Sequence, residues 1–256
     1  MTDRGLWVSW YDLPAAGRDA YFSWLHDTYI PRILKKSGVL WAAHYASDKE
    51  PVNAPSVARL LHHTDDPSVP AGNDYVLLFG AETAHAFSRG AAAYLHQAPS
   101  KLHADLCEED RTMLSMRTGE RVCIMTEVAR RDGPEANQRE GKLALSPCIQ
   151  IGAFNAGNTE CEDELLAWFA GWRFDALGKL PGCVGIRHMV SVSGWAKHGV
   201  LYEFLSRKAR DAHFPHLRKI YPAEGAWSDR LVPKLLHAPG SPVVGSRIWP
   251  PVITQP

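Results

Sequence analysis

Two stretches, YFSWLHDTYIPRILKKSGVLWAAHY (21–45) and LLAWFAGWRFDALGKLPGCVGIRHM (165–189), align without a gap when the chain is slid by 144 residues. Trp24 meets Trp168, Lys35 meets Lys179, Gly38 meets Gly182 and His44 meets His188. Leu25/Phe169, Ile33/Leu177 and Leu40/Val184 keep apolar character. Tyr21, Trp24, Leu25 and Thr28 fall at helical spacing, as do Leu165, Trp168, Phe169 and Trp172, so each stretch predicts a helix with one apolar stripe. Gly38 and Gly182 are expected to close those helices in the left-handed conformation, after which a strand begins.

The surroundings repeat the same order. LWVSWYDL (6–13) and CIQIGAF (148–154) read as strands, rich in aromatic and branched residues. After the helix and second strand come DYVLLFGA (74–81) and HGVLYEFL (198–205), then helical stretches near 83–97 and 207–221. ERVCIMTEVA (120–129) and GSRIWPPVI (245–253) close each half; Pro250 and Pro251 predict that the second of these is short or at an edge. Each half is therefore β-α-β-β-α-β, the split arrangement of ferredoxin-like folds. The expected organisation is a first repeat over 1–130, a polar linker over 131–147 and a second repeat over 148–256. A long insertion at 47–73, carrying His62 and His63, reads as a flap or an exposed loop.

Composition sets the class. In 256 residues, 28 Lys and Arg balance 28 Asp and Glu, so no net field gathers phosphates and no nucleic-acid role is expected. No apolar run reaches the ~18 residues of a membrane helix, and the N-terminal segment lacks the pattern of a secretory signal. Five widely spaced cysteines without a CxxC argue for thiols in a reducing cytoplasm and against a zinc site or disulfide framework. No HExxH, GxSxG, Walker or GxGxxG pattern is present, so no metal is expected from motif.

The segments D-L-P (12–14), W-L-x-x-x-Y-I-P (24–31) and G-V-L-x-A-x-x-Y (38–45), with L-P-G (180–182) and V-L-Y-E-F (200–204), resemble the EthD-like branch of the dimeric α+β barrel superfamily. That resemblance implies an α+β fold in which the antiparallel sheets of two repeats pack into one barrel with helices outside. The space between the sheets then becomes the expected small-molecule cavity. The histidine that ends the family's first helix is replaced by Tyr29 here and by Arg173 in the second half, and the proline kept as Pro31 becomes Asp175. A monomer with an internal barrel and a homodimer of such units both remain open.

Candidate chemistry centres on histidines and tyrosines. His44 and His188 share one repeat position, on the face of Leu40/Ala42/His44 and of Val184/Ile186/His188; the opposite faces carry Trp41 and Arg187. Which face lines the cavity is open at this level. His213-Phe214-Pro215-His216 loosely resembles an H-P-x-H element of cyclase-like relatives, offset by one residue. A histidine paired with the phenol of Tyr202 or Tyr11 is suited to removing a proton beside a carbonyl. His213, His216, His188, His44 and Tyr202 are the catalytic candidates; Tyr11, Tyr29, Trp41, Arg173 and Arg187 are the substrate-binding ones. Glu203 interrupts an apolar strand and reads as an edge residue paired with Arg or Lys. The expected activity is a cofactor-independent lyase or isomerase on a small aromatic or polyketide-like carbonyl compound. The alternatives are a haem protein like the chlorite dismutase group, with a histidine axial ligand, and a non-catalytic binding protein.

Overall fold

The computed structural model describes residues 3–48, 59–87, 106–138 and 145–252. Parts of the insertion at 47–73, of the helical stretch expected near 83–97 and of the linker at 131–147 lie outside the described residues.

The first half runs β1 (Gly5–Asp12), a long helix α1 (18–33), β2 (Val39–Ser47), a two-residue β3 (His62–His63), β4 (Tyr75–Ala81), α2 (Glu108–Ser115) and β5 (Thr118–Asp132). The second runs β6 (Cys148–Ala156), α3 (159–177), β7 (Cys183–Ser193), β8 (His198–Phe204), α4 (Arg207–His213), α5 (Pro222–Leu231), β9 (Leu235–His237) and β10 (Val243–Trp249). The sheet order is β10-β2-β4-β1-β5-β7-β8-β6, and β6 pairs back onto β10. The eight strands thus close a ring of antiparallel pairs with no free edge, whose seams are β5–β7 and β10–β2. This is an α+β barrel of two ferredoxin-like halves. Among the described residues no helix is long and apolar enough to cross a membrane.

Three expectations about local structure are corrected. The last strand is not an edge: β10 pairs with both β2 and β6 and closes the barrel, because Pro250 and Pro251 fall beyond its end. Gly38 (φ 85°) and Gly182 (φ 79°) do adopt left-handed geometry, but the helices end earlier, at Ile33 and Leu177. The glycines instead turn the chain directly into β2 and β7. Glu203 is fully buried on β8, between β6 and β7, and so lies on an interior strand. It accepts from the Ser146 backbone N at 3.1 Å and stands 3.6 Å from Arg187 Nε.

Both long helices contain a widened turn, Trp24–Tyr29 in α1 and Phe169–Arg173 in α3, and Tyr29 and Arg173 are the last residues of those turns. Inserting one residue into the helical ladder rotates the following side chains. Both Tyr29 and Arg173 are buried against the sheet as a result.

The barrel interior is apolar and buried. Leu6, Val8, Trp10, Trp41, Tyr45, Leu78, Ile149 and Leu201 belong to one buried cluster inside it. At one end Asp3 plugs the space: its carboxylate accepts from Trp41 Nε1 at 2.8 Å, from Arg187 Nη1 at 2.7 Å and from Arg130 Nη2 at 2.8 Å. Trp41 and Arg187, proposed from sequence to bind substrate, are committed to this plug.

Candidate functional site

A cavity opens on the outer side of the second half's strands, beneath its helices. It is a cavity of about 110 Å³ with walls that include Phe154, Val200, Trp168, Phe214, Leu217 and Leu235, and Gln150, Arg173, Tyr202, Arg218, Ser228 and His237 are its polar groups. The strand floor follows from alternation: Val200 and Tyr202 on β8 share a face with Gly152 and Gln150 on β6, their register partners, and with Phe154, which is paired with His198. The mixture of apolar walls and a few placed polar groups is the usual form of a small-molecule site.

Arg173 enters from the widened turn of α3. Its Nε donates to the Tyr202 phenol oxygen at 3.0 Å, its Nη1 to Glu224 Oε1 at 2.8 Å, and its guanidinium lies 5.1 Å from the rings of both Trp168 and Phe214. Glu224, on α5, also accepts from Ser228 Oγ at 2.6 Å. Burial opposes the charge on Arg173, but the neighbouring Tyr202 and Glu224 outweigh it and hold its pKa up. The Tyr202 phenol is pushed above its ordinary range by burial, against the pull of Arg173, and so is protonated at neutral pH. Having accepted from Arg173, its hydroxyl retains a hydrogen to donate.

At the far end of the floor stands His237, on the three-residue strand β9 paired with β6 beside Phe154. Its ring packs 5.5 Å from Phe154 and 5.9 Å from His63, and its Nδ1 is buried with no hydrogen-bond partner. Burial, reinforced by His63, lowers its pKa to about 4, so it is a neutral imidazole at pH 7. Gln150 lies opposite Tyr202 and Phe154 beside His237, so four strand residues, roughly 13 Å, separate the two polar ends.

The structure brings three pairs of the candidates together, Arg173 with Tyr202 in this cavity, Tyr11 with His44 in the first half and Trp41 with Arg187 around Asp3, and it places the others apart from them. His213 is half-buried and His216 exposed; from their segment Phe214 and Pro215 line the cavity instead. Tyr11, Tyr29 and His44 lie beneath α1 in the first half, where Tyr11 Oη and His44 Nε2 are 2.8 Å apart. His188 stacks on Phe169 with centroids 4.1 Å apart, and its Nε2 is 3.4 Å from His198 Nδ1. A haem axial ligand needs a ring nitrogen turned to an open space; His44 and His188, both buried and engaged in this way, do not fit that role. Among the described residues no group of three or more His, Cys, Asp or Glu side chains is placed to hold a metal ion. His237 and Glu224 went unnoticed in the sequence, since neither belongs to a motif and β9 is too short to read.

No family model and no curated protein matches the sequence. Solved structures match the fold over nearly its whole length. An anthrone oxidase-like protein superposes with a TM-score of 0.58 at 9% identity, covering 96% of this chain and 92% of that one. A proposed monooxygenase from Fusobacterium nucleatum gives 0.57 at 8% identity, over 97% and 94% of the two chains. Another from Lactobacillus acidophilus gives 0.53 at 12%, over 96% and 94%. At these identities the likeness is one of fold.

Proposed function

We propose that the cavity under α3–α5 binds a flat aromatic or polyketide-like carbonyl compound and enolises it without a cofactor, as the first step of an isomerase or lyase reaction. The observation that carries this reading is the pairing of an oxyanion holder with an unpartnered base across an apolar floor. In the proposed step a carbonyl oxygen lies at the Arg173–Tyr202 end, His237 Nδ1 takes a proton from a carbon at the far end that is conjugated with that carbonyl through the ring system, and the C–H electron pair moves through the π system to the carbonyl oxygen. The resulting enolate oxygen is met by the Tyr202 hydroxyl and the Arg173 guanidinium, donors fixed before the charge develops. Return of the proton to another carbon completes an isomerisation; cleavage of a bond beside the enolate completes a lyase reaction. The separation of the two ends suits an elongated ring system bearing oxygen at both. The name of one structural neighbour, anthrone oxidase-like, belongs to the same class of enolisable polycyclic ketones, which supports trying such compounds first.

The test is hydrogen–deuterium exchange of anthrone and related polycyclic ketones in D2O, followed by NMR. The protein should accelerate exchange, and His237→Ala should lose about a hundredfold or more of that acceleration. Loss in His216→Ala with His237→Ala unaffected would overturn the assignment of the base. Tight binding with no acceleration would favour the non-catalytic binding protein.

A further inference from the structure

Beneath α1, in the first half, runs a hydrogen-bond chain that the cavity of the second half does not use. Tyr11 Oη and His44 Nε2 are 2.8 Å apart, and His44 Nδ1 and His26 Nε2 are 2.8 Å apart. Tyr11 and His44 are fully buried, whereas His26 is half-buried at the surface, where its ring lies 6.1 Å from Trp249. Burial keeps the Tyr11 phenol protonated and His44 and His26 neutral. With both imidazoles neutral the direction is set by the tautomers; in one of the two sets Tyr11 donates to His44 Nε2 and His44 Nδ1–H donates to His26 Nε2. In that set every proton in the chain is one transfer from moving outward.

A substrate cannot touch Tyr11, which is enclosed by Tyr21, Tyr75 and His44 with ring centroids 5.7 to 6.1 Å away. An electron can leave it without contact. Oxidised phenols are strongly acidic, so removal of the electron demands a base already hydrogen-bonded to the oxygen, and His44 is that base. Arg117 sharpens the demand. Its guanidinium sits 4.6 Å from the centre of the Tyr11 ring, where a positive charge opposes a radical cation and favours loss of the proton with the electron.

We propose that Tyr11 is a redox-active tyrosine, forming a neutral phenoxyl radical whose proton leaves through His44 and His26. In the balanced step a one-electron oxidant, such as a peroxyl or phenoxyl radical, takes one electron from Tyr11. The Oη proton moves to His44 Nε2, the Nδ1 proton of His44 moves to His26 Nε2, and His26 releases a proton to solvent; reduction of Tyr11 reverses each transfer. Tyr21, Trp24 and Tyr29 continue the aromatic row, with successive centroids 5.5 and 4.6 Å apart, as neighbours over which the vacancy can spread.

Flash-quench oxidation tests this, with a ruthenium(II) tris-bipyridine photosensitiser, a cobalt(III) quencher and electron paramagnetic resonance of the frozen sample. A tyrosyl signal is expected in the unaltered protein and absent in Tyr11→Phe. In His26→Ala, a surface change that leaves the buried pair in place, the yield should fall about tenfold, because the imidazolium formed at His44 loses its outward partner. An undiminished signal in Tyr11→Phe, or an unchanged yield in His26→Ala, would overturn the proposal. So would the absence of any tyrosyl signal in the unaltered protein.

Discussion

Arg173, on the widened turn of α3, donates through Nε to the phenol oxygen of Tyr202 on β8 at 3.0 Å, while its other arm holds the buried carboxylate of Glu224. Glu224 is 1% exposed, so the charge it carries depends on that guanidinium. Arg173→Met should therefore destabilise the fold by about 3–5 kcal/mol, the cost of leaving one buried charge without its partner. Adding Glu224→Gln to the same chain should recover most of the loss. Urea unfolding of the two variants measures both values.

The plug at the barrel's end predicts an acid dependence. Burial would raise the Asp3 pKa, but the Arg187 and Arg130 guanidinia outweigh it and hold it at about 2. A carboxyl with a depressed folded pKa stabilises fully above its unfolded value near 4 and loses that contribution as pH falls toward 2. After allowance for solvent near the chain end, this amounts to roughly 1–2 kcal/mol. Asp3→Asn should flatten the stability curve between about pH 4 and 2, where thermal melts of the two proteins should converge.

A second acid transition belongs to the histidines. Burial lowers His237 to about 4, His26 to about 4 and His188 to about 3. A histidine buried neutral takes up its proton more readily when unfolded. Its contribution is complete above about pH 6.5 and is lost as pH falls through its folded value. His237→Asn should remove about 1.4 kcal/mol per pH unit from the slope of stability between roughly pH 6 and 4.5. Parallel slopes for the two proteins would mean that His237 titrates normally in the fold.

Gly80 on β4 predicts a steric effect. A Cβ there would overlap the Trp41 indole, which lies across the glycine and donates to Asp3 at 2.8 Å. Gly80→Ala should cost about 3 kcal/mol, because the indole cannot shift without opening the plug. Trp41→Phe in the Gly80→Ala background should lose less than the two single changes combined. Guanidinium unfolding of the three variants decides it.

The order of elements was legible because aromatic and branched runs alternate with helical stripes, and the left-handed glycines mark the starts of β2 and β7. The facing of the strands was not. In β2 the inward Trp41 and Tyr45 and the outward Ala42 and His44 are all at most 5% exposed, so hydrophobic alternation offers no contrast. Arg173 and Tyr202 stood out as a charge and a phenol on apolar elements, and they meet in the cavity wall. The Asp3–Arg187 bridge joins residues 184 positions apart, and no local pattern announces it. His237 owes its place to β9, a strand of only three residues.

The barrel's buried interior is also a partition. The phenol chain beneath α1 and the cavity beneath α3 lie on the outer side of each half's strands, and the interior cluster around Leu6, Val8, Trp10 and Leu201 stands between those strand layers. Changes made on one face should then add to changes on the other without cross-talk. Each half is thus an independent workshop sharing one wall, free to be redesigned without retuning its neighbour.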